Sequence, residues 1–166
     1  MNVIANTTIL SNFASVGRLD ILRTLLGTLY LATDVYAEIQ NGMAEGYSFY
    51  ETVEQEIQTY GSDAWLCLTA PTDQELRLYT LLLGALHNGE AACLAIAVSR
   101  GWAFLTDDAR ARQEARRRSV HVSGTLGLLV QAVKRNYLVL EEANRLLAQM
   151  IDAGYYSPYD NLAELL

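Results

Sequence analysis

Residues 89–112, GEAACLAIAVSRGWAFLTDDARAR, carry the reading that decides the fold. Gly89 and Glu90 open an apolar helical stretch, Ala91 to Ser99. The chain turns at Arg100-Gly101, crosses a short apolar run from Trp102 to Leu105, and ends on Thr106, Asp107 and Asp108. This is helix, tight turn, strand, then two carboxylates at the strand's carboxyl end. In open α/β sheets that end faces the ligand crevice. Glu90 falls in the first turn of its helix, where the positive end of the macrodipole favours an anion. One αβ unit therefore offers acids from two elements to a common cleft. The same residues also serve a plainer purpose, as a helix N-terminal acid and an Asp-Asp N-cap for the next helix.

On the N-terminal side of this unit, NVIAN (2–6) reads as a short strand ending on a polar group. Thr7 and Thr8 lead into a helix that stops near Gly17, and Leu19, Leu22, Leu25 and Leu26 mark a second amphipathic helix closing on Gly27. Leu29–Leu31 is the next strand, and Thr33 is the expected N-cap of a helix that carries Glu38 at its centre. Residues 41–62 form an excursion with an acidic helix around 48–60, in which Glu51, Glu54 and Glu56 are expected on a solvated face. Trp65–Thr69 is a third strand. Pro71-Thr72 opens a helix with a capping box, Thr72 reaching to Glu75.

On the other side, Ala109–Arg118 is an arginine-rich helix, Val120–Val122 a strand, and Gly124–Arg135 and Glu141–Ala153 two amphipathic helices. Ser157-Pro158 is expected to cap a last short helix. Strands alternating with helices, without repeat or linker, give a single α/β domain over residues 1–166 with a mainly parallel sheet.

The composition is globular, and 166 residues suffice to bury a substantial core. No apolar run reaches the roughly 18 residues of a membrane span, and MNVIANTT has no basic leader region. A soluble, cytoplasmic protein without membrane association is expected. Cys67 and Cys93 sit in apolar runs and read as buried free thiols, without the neighbours of a zinc site. The net charge of −7 argues against a general nucleic-acid binder. Six of the twelve basic residues nevertheless fall between Arg100 and Arg118, beside the aspartate pair. A basic patch next to an acidic cleft suits a phosphodiester held near a metal, and a solvated helix face is the bland alternative.

Asn6, Glu38, Glu90 and Asp107-Asp108 all fall at strand-to-helix junctions, so a parallel sheet brings them to one edge. Acids this close repel, and Mg2+ or Mn2+ takes hard oxygen ligands in just such places. In this order the stretches resemble the PIN-domain family. VIANTTILSNFASVGRLDIL is similar to the family's opening strand and helix, which usually carry Asp-Thr or Asp-Ser. LYLATDVYAEI resembles the second element with its glutamate, and GEAACLAIAVSRGWAFLTDDARAR the acid-bearing helix and the following acidic strand end. HVSGTLGLLVQAVKRNYL is similar to an uncharacterised prokaryotic branch of the family, and the resemblance covers nearly all the chain outside the excursion.

The resemblance implies a three-layer α/β/α fold with a central, mainly parallel sheet of four to five strands. It also implies a Mg2+- or Mn2+-dependent endoribonuclease, as in VapC-type toxins, with RNA as substrate, a small antitoxin protein as partner and a homodimer as the default assembly. Carried onto this chain, Asn6, Glu38, Glu90, Asp107 and Asp108 are the catalytic set. Glu38, Glu90 and one or other of Asp107 and Asp108 are the metal ligands, and Thr7, Thr106, Arg110 and Arg112 the substrate-binding residues. The departure is Asn6, where the family pattern has aspartate. An amide oxygen coordinates a hard cation without bringing charge, a loss on the order of several kcal/mol beside a divalent ion. Metal binding and catalysis are therefore expected to be weakened or lost, and the alternative is a degenerate PIN-like module that binds RNA or a protein without cutting. A receiver domain or a haloacid-dehalogenase-like phosphatase fits less well. Both place an aspartate at the first strand and a lysine late in the chain, whereas this chain has Asn6 and one lysine, Lys134, mid-helix.

Overall fold

Parallel pairing around one short central strand organises the chain. In the computed structural model, which describes residues 1–57 and 63–166, β1 (Val3–Ala5) pairs on one side with β2 (Leu29–Ala32) and on the other with β4 (Ala103–Leu105). β3 (Leu66–Thr69) extends the sheet beyond β2, and β5 (Val122–Ser123) beyond β4. Among the described residues the order is β3-β2-β1-β4-β5, every pair parallel. The inner strands read as apolar runs because helices cover both faces: Ile4, Ala5, Leu29, Leu31 and Phe104 are fully buried.

The helices form two groups. α6 (Asn88–Arg100) packs on β1, β2 and β4 and is flanked by α3 (Thr33–Ala44), α5 (Asp73–Leu82) and α7 (Ala109–Arg117). It is buried on nearly every side, from Ala91 through Ala97, and its alanines let the neighbours approach closely. α1 (Thr7–Ser15), α2 (Leu19–Leu26), α8 (Thr125–Lys134) and α9 (Leu140–Asp152) pack on one another as the other group. The architecture is the expected three-layer α/β/α. α4 (Phe49–Ile57) leans on α1 and α3, anchored by the fully buried Val53. Tyr50 fills the space that a Cβ on Gly42 would need, at 2.4 Å.

Several local expectations are corrected. Thr33 is the first helical residue, and Ala32 occupies the N-cap without a side-chain bond. Glu54 and Glu56 are not simply solvated, since Glu54 accepts from the Tyr36 hydroxyl (2.7 Å) and Glu56 from the Trp65 indole N–H (2.5 Å). The end of the expected 48–60 helix lies outside the described residues. The fifth strand sits later than Val120–Val122, because pairing with β4 runs through the His121 and Ser123 carbonyls. Val120 instead closes the turn after α7, its N–H on the Ala115 carbonyl. Pro158 starts no helix. The chain beyond it makes a 3-10 turn, Leu162–Leu165, capped by Asn161, with Leu162 fully buried. Leu162 and Leu165 thus pack against this domain's own core.

Candidate active site

Going from β1 the chain winds outward through β2 to β3, then crosses back to β4 on the far side of β1. The carboxyl ends of β1 and β4 therefore flank a topological switch point, the usual place for a crevice in such sheets. Register makes the two ends level, with Ala5 opposite Leu105. Asn6 follows β1 directly and is 2% exposed. Its N–H reaches the Leu105 carbonyl (3.1 Å), its Nδ2 donates to Thr106 Oγ1 (2.9 Å), and its Oδ1 accepts from Ile9 N as the N-cap of α1. The Thr106 hydroxyl, fully buried, also accepts from Asp108 N (3.2 Å). An asparagine thus ties the two strand ends together.

Around that tie stand three carboxylates. Glu38, one strand over on α3, is held between the Thr7 hydroxyl, which donates to Oε2, and the Gly89 N–H at the start of α6, 3.1 Å from Oε1. A Cβ on Gly89 would lie 2.6 Å from Glu38 Oε1, so a larger residue there would displace the carboxylate from this position. Glu90, half-buried, accepts from the His87 N–H (3.2 Å) and so caps α6. Burial pushes its carboxyl above the usual range, repulsion from Asp108 and Glu38 adds to this, and His87 pulls the other way. Asp108 caps α7 through Ala111 N (2.7 Å).

Asp107 faces a different set. Its carboxylate accepts from Thr125 N (2.8 Å), Thr125 Oγ1 (2.5 Å), Asn12 Nδ2 (3.1 Å) and the Tyr155 hydroxyl (3.4 Å). Burial raises its carboxyl from the ordinary value, with Thr125 and Arg112 pulling it back, and burial together with Asp107 raises the Tyr155 phenol. Gly124 permits this approach, since a Cβ there would meet Asp107 Oδ1 at 2.4 Å and Arg112 at 2.8 Å. Arg112 itself donates to the Thr106 carbonyl (3.1 Å).

A cavity of about 530 Å³ opens over Glu90, Asp107 and Asp108, with Phe49 of α4 and Tyr156 at its walls. Among the described residues no group of three or more His, Cys, Asp or Glu side chains is gathered as a metal site. The donor chemistry nonetheless fits a hard dication. Every candidate donor is an oxygen, Glu90 is half-buried beside the like charges of Asp108 and Glu38, and magnesium commonly binds through one or two carboxylates and water.

A family model described as a PIN domain (DUF3368) matches residues 2–166. The chain belongs to the PIN-domain family. Among solved structures it is similar to VapBC2 from Rickettsia felis bound to a DNA fragment from their promoter. That likeness has 13% identity and a TM-score of 0.55 over 75% of this chain and 98% of that one, and is a likeness of fold. No curated protein matches.

In this PIN domain the sequence-derived residues do not all gather in one place. Asn6, Thr7, Glu38, Glu90, Thr106 and Asp108 lie together at the β1–β4 edge. Asp107 belongs to the adjoining Thr125 network. Arg110, exposed, donates to the Ala85 carbonyl (3.4 Å). The basic cluster is looser than its sequence spacing implies. Arg100 is spent on Glu75 (2.7 Å) and Thr69, and Arg117 and Arg118 on Glu114. Sequence reading overlooked Asn12, Thr125 and Tyr155. Gly124-Thr125, a polar pair opening a helix directly after a strand, was the available signal for one of them.

Proposed function

We propose that this PIN domain is a metal-dependent endoribonuclease of the VapC type, working as the toxin of a pair with a small antitoxin, and weakened at one position. The convergence of Glu38, Glu90 and Asp108 outside the β1–β4 switch point carries the reading. Of those three, a pair completed by water would hold Mg2+ or Mn2+. A bound dication would supply charge neutralisation at the scissile phosphate. Thr7 orients Glu38, and Asn6 and Thr106 hold the two strand ends level beneath the acids. Asp107 acts behind them, fixing the start of α8 against β4. Arg112 and the exposed Arg110 present positive charge to the RNA backbone beside the cleft. The fold likeness to VapBC2 supports the toxin side of the reading. Homodimerisation and a cytoplasmic setting belong to the same proposal.

Asn6 favours a second reading, a module that binds RNA without cutting it. Its amide is buried and committed to Thr106 and Ile9, and it supplies no charge where the family pattern has an acid. The pocket can accommodate the acid, because the Thr106 hydroxyl can rotate to donate to a carboxylate while still accepting from Asp108 N. Manganese calorimetry with RNA-cleavage assays on the native chain and on Asn6→Asp separates the readings. Binding tighter by tenfold or more in Asn6→Asp, with a matching gain in cleavage, identifies a nuclease site lacking one charge. Comparable tight binding in both, with cleavage, makes Asn6 a working ligand. Absence of metal binding in both leaves the non-cutting module.

A further inference from the structure

Beyond the ridge formed by Asp107 and Ala109 lies a second cavity of about 560 Å³, mainly apolar. It is built from the first half of α8, with Leu126 and Val130, and from the tail, with Tyr155 and Tyr159. Arg112 and Ser123 supply the polar rim. Its volume and lining match the usual small-molecule pocket, apolar with a few placed polar groups. Both cavities share Asp107, Ala109, Tyr155 and Tyr156, so they are continuous across one ridge. Tyr155 is the shared wall, 9% exposed and pinned by its hydroxyl on Asp107.

We infer that this second cavity is a nucleobase pocket, taking an unpaired base next to the phosphate that lies over the acid cleft. The inference rests on the ribonuclease reading for what occupies the first cavity. Three observations select a base as the occupant. The pocket is continuous with the acid cleft, so a strand entering one reaches the other. Tyr156 and Tyr159, both exposed in its lining, offer rings on which any base can stack. Arg112, on the rim of the pocket and near the shared Asp107, places a cation beside the path of a connecting backbone. A paired base cannot enter, so the substrate is single-stranded at this position.

Methyl NMR tests this on the full-length chain in EDTA, with the four nucleoside 5′-monophosphates and ribose 5-phosphate as probes. The expected result is that at least one nucleotide shifts the Leu126 and Val130 methyl signals and binds tenfold or more tighter than ribose 5-phosphate. Val130→Trp, which fills the cavity away from the acids, removes that preference. Tyr159→Ala, at a position already part-exposed, reduces it without threatening the core. Equal affinity for nucleotide and sugar phosphate overturns the inference, as do shifts confined to the acid cleft or a preference that survives both substitutions in folded protein. Because no metal is present, failure of the nuclease reading in calorimetry leaves this result standing or falling by itself.

Discussion

At Glu90 the chain keeps a charge where an amide would be more comfortable. The carboxylate is half-buried beside Asp108 and Glu38, and it accepts the His87 N–H, a bond that glutamine can also accept. Glu90→Gln should therefore stabilise the metal-free protein by about 0.5–2 kcal/mol, or roughly 1–8 °C in Tm for a domain of this size, while abolishing metal-dependent activity. A calorimetric scan in EDTA showing a lower Tm would contradict the repulsion. Glu75 is the opposite case. The Arg100 guanidinium holds its carboxyl at about 2, well below the ordinary 4.5, against the cost of burial. The folded-state value lies below the unfolded one, so the stability it contributes is complete above about pH 4.5 and is lost as pH falls towards 2. Urea unfolding between pH 6 and pH 3 should show this loss. Glu75→Gln, which leaves Arg100 unmatched, should be less stable by about 3 kcal/mol at pH 7 and show a flatter acid limb.

Among the elements, α7 shows how one side chain can serve fold and site together. Asp108 caps the helix through Ala111 N and also stands beside Glu90 in the cleft. Asp108→Asn keeps a capping oxygen, so it should lose activity with stability changed by a few tenths of a kcal/mol. Asp108→Ala should lose activity and about 1 kcal/mol besides. Equal destabilisation in the two variants, measured by urea unfolding, would show that the cap contributes little. The elements themselves were legible because each carries its own signal. Leu19, Leu22, Leu25 and Leu26 have helical spacing, the Thr72–Glu75 capping box forms as read, and Gly101 ends α6 in a left-handed turn. Where a neighbour decides, reading failed. β5 begins at Val122 because β4 sets its register, and Glu56 left the solvated face because Trp65, just before β3, supplies an N–H.

Over the whole molecule, the acid edge was legible because a parallel sheet gathers its strand ends regardless of detail, so Asn6, Glu38, Glu90 and the pair Asp107-Asp108 could be assigned to one edge from sequence, though not which aspartate of the pair turns to Glu90. The support beneath was not. Asn12 sits among apolar residues of α1 and looks like any helix polar residue, yet its amide spans 95 positions to reach Asp107 and 113 to reach Thr125. Gly89 gave no hint that Glu38 would rest against it. Such long-range ties also bear on how the chain comes into being. β1 is made first, but one of its two edges stays bare until β4 emerges about a hundred residues later. At a synthesis rate of about 5–20 residues per second that delay is roughly 5–20 s. Pairing so distant in sequence is also intrinsically slow to nucleate. No nascent chain shorter than about Leu105 can assemble the β1–β4 floor. A ribosome carrying a partial copy of this protein therefore carries no finished cleft, and whatever activity the domain has begins only when its synthesis is well advanced.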